Sequence, residues 1–464
     1  MRPWKKWLLR TSAAVVVTLT IYVVQDWWRA SSARARLEEA RVHLDAEDPG
    51  WRLDQIQAAR EKAFPPDDQN ITKLAVKIKA DTPKEFDEFL TRAEQPTPWL
   101  PEKEFNHLPP PAKLADARKT RTVCRDVIER SLKLGTLTGG GMFPPPVANP
   151  LMMDLNHVQN ARTPAALLNL NAVVLAADKD ADGAVASCRA TLNLTRCVNN
   201  EPTLISMLVR IAMASVAVQA AERTLAYTEP KAGLAEFQTE LLREADEPVL
   251  AIGFRGERAW IDATFEYLQV DPDGLQNSGM GGPASLAALG RLAFRGRILV
   301  DQLQALRLET QYLEIARGPS HEWVEKMQGV LANEDLGPFV KLLLPAAEKV
   351  VLAALRIKAR LRCLAVGIAC ERFRQANGRW PTDLAEIPKA ILAAVPADPY
   401  TGEPLKYRVR PDGIVIYAVG DDRKDDGGNL TYSNPKPGED VGVRLWSPEY
   451  RRAATLPEPK GQEP

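Results

Sequence analysis

Asn377 to Asn429 reads NGRWPTDLAEIPKAILAAVPADPYTGEPLKYRVRPDGIVIYAVGDDRKDDGGN, and this stretch decides the fold. Ahead of it, Ile357, Leu361, Leu364 and Ile368 step by four, three and four, the apolar stripe of a long helix. Gly378 accepts the left-handed conformation that ends a helix, and Pro381 forbids an immediate restart. A turn-rich run follows, Pro396-Ala397-Asp398-Pro399-Tyr400. Leu405, Tyr407 and Val409 then alternate, Pro411-Asp412-Gly413 reverses the chain, and Val415, Tyr417 and Val419 carry a returning strand. Val441, Val443 and Leu445 mark a last strand. Residues 345–447 therefore read as an α+β module, a long helix with a small antiparallel sheet, followed by a polar, disordered tail at 448–464.

Outward from this module the chain reads as mainly α. Its 464 residues suffice for two or three domains, alanine and leucine abound, and 36 prolines demand many breaks. Sixty basic and sixty acidic residues cancel, so no global field points to nucleic acid. Residues 1–30 read as an N-terminal membrane anchor. Arg2, Lys5, Lys6 and Arg10 precede an apolar run to Val24, and Trp27-Trp28 suit the far interface. The competing reading is a cleaved signal peptide with Ala33-Arg34-Ala35 as its site. Arg29, Arg34, Arg36 and Arg41, just after the span, run against the charge rule for orientation.

Residues 31–344 read as an antiparallel, solenoid-like helical ectodomain with Pro/Gly-rich connectors near 96–111, 139–150 and 271–283. Leu204 to Ala221 is apolar enough to raise a second span, but Ser206, Arg210, Ser215 and Gln219 favour a buried helix. Arg356, Lys358, Arg360, Arg362, Arg372 and Arg374 are expected to form a solvated face of the long helix.

The order NGRWP, DPYTGEPLKYR, IVIYAVGDD, KDDGG resembles the C-terminal half of the major pseudopilin of type II secretion systems. It is also similar to the ending of a group of single-pass membrane proteins from planctomycete-type bacteria. The match covers residues 345–430, under a quarter of the chain. DPGWRLDQI, from Asp48, and GFRGER, from Gly253, are reminiscent of the same group. Pseudopilins begin with a leader, a Gly-Phe cleavage site and a glutamate inside an apolar helix; MRPWKKWLLRTSAAVVVTLTIYVV has none of these, so no peptidase-processed filament subunit is expected. In the pseudopilin the loop matching Asp421–Asn429 binds calcium. By position the resemblance implies Asp422 as a Ca2+ ligand, Asp425 or Asp426 as a second, and the Val419 carbonyl beside them. Closely spaced carboxylates and carbonyls suit a hard cation, while an exposed acidic turn neutralised by Arg423 and Lys424 is the plain alternative.

Other strings are weaker. Asp178 to Gly183 imitates half an EF-hand loop, but Arg189 stands where the bidentate glutamate belongs, so an inter-helix turn is expected. His43, His107, His157 and His321 are dispersed, and no HExxH zinc motif occurs. Cys124, Cys188, Cys197, Cys363 and Cys370 read as small buried apolar side chains, with a Cys188–Cys197 bridge open only if a turn intervenes. GFRGER reads as a close helix crossing with an Arg–Glu pair. No nucleophile elbow, phosphate loop or dinucleotide fingerprint appears.

The expectation is a non-enzymatic envelope protein for binding or assembly, single-pass in the bacterial inner membrane with its bulk periplasmic. It would work with envelope partners of a type II secretion or pilus-like apparatus and not with nucleic acid. The alternatives are an envelope hydrolase using carboxylates of the helical ectodomain, with Glu257 as an arbitrary candidate, and a soluble exported binding protein.

Overall fold

The computed structural model describes residues 3–93, 99–100, 105–142, 150–153, 155–271, 285–332, 335–343, 347–430 and 439–454. Much of the expected connectors at 96–111, 139–150 and 271–283 lies outside the described residues, as does 455–464. The chain is mainly helical, with a small antiparallel sheet near its C-terminus.

Helix α1 runs unbroken from Pro3 to Glu47, and the Asp48-Pro49-Gly50 turn, with Gly50 at φ +77°, leads into α2 (Leu53–Ala63). Four helices follow: α3 (Ile71–Asp81), α4 (Lys84–Ala93), α5 (Pro111–Val123) and α6 (Arg125–Leu134). A short α7 (Asn156–Gln159) precedes α8 (Arg162–Ala177) and α9 (Ala181–Asn193). The EF-hand-like string is the turn between α8 and α9, as expected. Asp180 caps α9 by accepting from Gly183 N at 3.0 Å, and Asp182 accepts from the Lys231 and Ala232 amides.

The centre of the body is α10 (Leu204–Tyr227), capped by Thr203. It is long and apolar enough to cross a membrane, yet it lies mostly buried in the protein. Arg210 pairs with Glu244 (2.7 Å) of α11 (Leu234–Asp246), and Glu222 accepts from Arg360 at 2.6 Å. Around it lie α8, α9, α12 (Val249–Val270) and α16 (Ala347–Asn377). A stack of α8, α9 and α10 has the neighbour-on-neighbour order of a solenoid, but α10 also meets a helix more than a hundred residues further along. Between them come α13 (Ser285–Arg317), α14 (Trp323–Ala332) and α15 (Pro338–Leu343).

Helix α16 is the unbroken spine read from the sequence, and Ile357, Leu361, Leu364 and Ile368 are all buried. Gly378, at φ +72°, ends it. Strands β1 (Lys406–Arg410), β2 (Gly413–Ala418) and β3 (Val441–Trp446) pair antiparallel in that order, with Tyr407 opposite Ile416 and Tyr417 opposite Gly442. The sheet lies so close to α16 that a Cβ on Gly367 would stand 3.2 Å from Leu445. Val409, expected on the apolar face, is 53% exposed, because burial falls off along edge strand β1. One continuous core joins Ile414, Ile416, Val443 and Leu445 through α16 to Phe237, Leu241 and Leu250, so apolar packing runs across the 344/345 division.

Two expectations do not hold. The basic residues of α16 are not a solvated face. Arg360 and Arg374 are buried and paired with Glu222 and Glu371, while Arg356 and Arg362 reach Asp421 and Asp246. Long arginine stems cover apolar surface while their heads find acids on neighbouring elements. Nor is the segment after Pro448 disordered from its start. Arg451 donates to the carbonyls of Trp446 and Thr228, and pairs with Glu371 at 2.8 Å. Arg452 donates to the last carbonyls of α8, and Ala453 N reaches Asn106 O at 2.9 Å. All five cysteines are free and buried.

Candidate functional site

The acidic loop after β2 folds back over the outer face of the sheet. A Cβ on Gly428, at φ +78°, would stand 2.8 Å from Val415, which is why glycine is needed there. Asp425 accepts from Tyr417 OH and Gly427 N, both at 2.9 Å, and its other oxygen faces Lys406 and Arg408. Burial pushes its carboxyl up, but these donors and cations outweigh it and hold it below the usual carboxylate range. Asp422 accepts from Lys424 N at 3.0 Å, and Val419 N donates to Asp398 at 2.9 Å. Among the described residues no group of three or more His, Cys, Asp or Glu side chains is arranged to hold a metal ion. One carboxylate of this region, missed in the sequence, stands out: Asp440 is fully buried, accepts from Gly428 N at 2.7 Å through Oδ2, and leaves Oδ1 without a hydrogen bond.

A second site forms where separate strings of the sequence converge. The DPGW turn after α1 and the GFRGER run of α12 meet through Asp48. Arg255 Nε lies 3.0 Å from both Asp48 oxygens, and Arg258 donates to Oδ2. Arg258 is 1% exposed and also stands over Trp51, its carbon 5.3 Å from the ring centre. Trp51 is itself fully buried and donates to Asp45 at 2.8 Å. Burial raises the Asp48 carboxyl, but the two guanidiniums win and leave it below its ordinary value. The Arg–Glu pair expected within GFRGER is not formed; both arginines pair with Asp48, across the helix interface, and Glu257 accepts from the Leu204 amide.

The glycines of GFRGER do make the expected close crossing. A Cβ on Gly253 would meet Leu204 at 2.8 Å, and one on Gly256 would sit 2.3 Å from Pro202 Cα. Backbone cannot yield as a side-chain end can. Gly256→Ala should therefore lose about 2 kcal/mol of stability or more, read as a shift of the denaturant midpoint against the parent.

Glu257 accepts from Leu204 N at 3.1 Å, satisfying one of the unpaired amides at the start of α10. Burial pushes its carboxyl up to about 7 despite that bond. Beside it stands Glu309 of α13, fully buried, with neither oxygen hydrogen-bonded. Burial, with the Glu257 charge adding to it, drives Glu309 well above the carboxylate range, and Arg258 only partly opposes this. The Tyr312 phenol is pushed up to about 12 by burial and by Glu309. Burial and the proximity of the two carboxyls both favour their protonated forms, Glu309 the more strongly.

The described clefts lie elsewhere. One of about 1020 Å³ beside the sheet is walled by Arg408, Arg410, Asp412 and Arg444. Another, of about 420 Å³, is lined by Arg60, Phe64, Asn199 and Arg255. A third, of about 280 Å³, brings His321, Tyr400, Asp421 and Arg423 together. His157 lies 3.5 Å from Glu201, which also pairs with Arg60, all three buried. Nothing in the spacing of these residues announced that cluster. Comparison with family models, with curated proteins and with solved structures finds no match to this chain.

Proposed function

We propose that the chain is a non-enzymatic, single-pass envelope protein for binding or assembly, with its bulk in the periplasm and its anchor in the inner membrane. The observation that carries this is the change of character along one helix. Val17, Ile21, Val24, Trp27 and Trp28 of α1 are each more than half exposed, whereas Ala33, Leu37 and Leu44 further along are buried against α12 and α13. Large apolar and tryptophan side chains left uncovered on a long helix suit hydrocarbon and its interface. The helical body and the spine with its sheet then offer packing surface to partners, and the resemblance to the pseudopilin points to a secretion or pilus-like apparatus. Affinity purification from detergent-solubilised membranes should recover secretion-apparatus components; consistent recovery of the chain alone, or release without detergent, would overturn the reading.

The hydrolase alternative has the Glu257–Glu309 pair in its favour, but neither residue lines any of the three clefts. Calcium at Asp422, Asp425, Asp426 and the Val419 carbonyl belongs to the same proposal. Its support is Asp440 Oδ1, buried without a hydrogen bond beside the Asp425 and Asp426 charges. Calcium should then raise the melting temperature of the parent and not of Asp440→Asn; an unchanged melt in millimolar calcium would remove the ion from the reading.

A further inference from the structure

Tyr400, in the turn-rich run ahead of β1, is 3% exposed, and its hydroxyl is buried without a hydrogen bond. A buried donor left unmade costs stability, so one that persists calls for a partner from outside the chain. Asp421 acts on the phenol from nearby but forms no hydrogen bond with it. Burial, with the Asp421 charge adding to it, drives the phenol well above its ordinary range against the pull of Arg356. It therefore stays a neutral hydroxyl, able to donate. Tyr400 lines the cleft of about 280 Å³ between α14, α16 and the loop after β2.

The walls of that cleft come from segments far apart in the chain. Val324 and Glu325 belong to the first turn of α14, Leu352 and Leu355 to α16, and Asp421 and Arg423 to the loop. Arg423 ties them together, donating to the His321 carbonyl at 2.6 Å and standing 3.8 Å from Glu325. It does so from left-handed backbone, φ +59°, which a long side chain rarely adopts. Gly402, at φ +81°, makes room for the His321 ring, since a Cβ there would stand 2.9 Å from Nδ1.

The charges around the cleft cancel. Asp421 pairs with Arg356 at 3.7 Å and Glu325 with Arg423 at 3.8 Å, so no net field is left to hold an ion. Both separations are longer than a hydrogen bond, which leaves carboxylate lone pairs free to accept. A hydroxyl group both donates and accepts, so a ligand carrying several of them matches a phenol donor set among carboxylates. Leu352 and Leu355 supply an aliphatic wall for its C–H groups. The volume falls just below the ~300–1,000 Å³ that drug-sized ligands occupy, which is room for one ring.

We propose that this cleft binds a neutral, polyhydroxylated ligand the size of one sugar ring, with Tyr400 donating to one hydroxyl and Asp421 and Glu325 accepting from others. The site does not depend on α1 lying in a membrane.

The experiment uses the full chain in a detergent without a sugar headgroup, with glucose, galactose, mannose and inositol as probes. Saturation-transfer NMR should show at least one of them bound at millimolar concentration, with an affinity unchanged by high salt. Tyr400→Phe should weaken that binding about five- to tenfold, the worth of one hydrogen bond. Its melting temperature should hold or rise, because the hydroxyl removed has no partner within the chain. That separates a lost contact from lost folding. Asp421→Asn, which keeps the shape and gives up acceptor capacity, should weaken binding as well. Transfer to none of the four probes overturns the site. Binding that survives Tyr400→Phe unchanged overturns its placement in this cleft. Tighter binding of glucosamine, glucuronate or leucine than of every neutral probe overturns the neutral class of ligand.

Discussion

Asp48→Ala should lower stability by roughly 3–5 kcal/mol. The carboxylate lost is the shared partner of Arg255 and Arg258, and Arg258 stays buried at 1% exposure with its charge uncompensated. The cost comes from that stranded cation more than from the lost bonds. Arg258→Met placed on top of Asp48→Ala should therefore restore part of the stability, since the stem can still cover Trp51 without carrying charge. Denaturant unfolding of the four chains of this cycle measures the coupling. Additive effects, or a loss under about 1 kcal/mol for Asp48→Ala, would show that the clasp does not tie α1 to α12.

The second large effect is on pH dependence. An unfolded Glu257 gives up its proton near 4.5, while the folded one keeps it to about 7. Between those values the folded chain binds more protons than the unfolded one, so stability falls as pH rises through the window. The contribution of Glu257 is fully present below pH 4.5 and amounts to about 3 kcal/mol lost by the upper limit. Glu309 moves in the same direction, with a loss that continues further up the scale. Glu257→Gln/Glu309→Gln should flatten the descent, and Glu309→Leu should raise the melting temperature at pH 8. A parent chain whose midpoint climbs from pH 5 to 7, with no change of slope in the double variant, would contradict the buried pair.

How legible this was depended on the range of the forces involved. The spine, its stop at Gly378 and the three strands were readable because periodicity, a glycine stop and a two-residue reversal act locally. The buried stripe of α16 followed from the same periodicity. The basic residues between its stripes did not, because whether Arg360 meets water or Glu222 is settled by a helix 138 residues away. The DPGW and GFRGER strings stood out in the sequence for their glycines and arginines, yet nothing in it showed that they clasp each other. Glu309 carried no signal at all: one glutamate in a helix looks solvent-facing until its neighbours are known. At the acidic loop the sequence showed the charge density but not that Asp425 would be engaged by Tyr417, nor that Asp440 would be the oxygen left over.

The link between Ala453 and Asn106–Leu108 sets an order on how the molecule can be completed. A chain made from its N-terminus presents residue 106 long before residue 453 is added. Until then the Asn106 carbonyl, the Leu108 amide and the last two carbonyls of α8 lack these partners, and water must serve them. Closing so long a loop costs little more entropy than closing a moderate one, but it comes late in time. The early helices are thus finished by a segment made long after them, which acts as a latch fastened late.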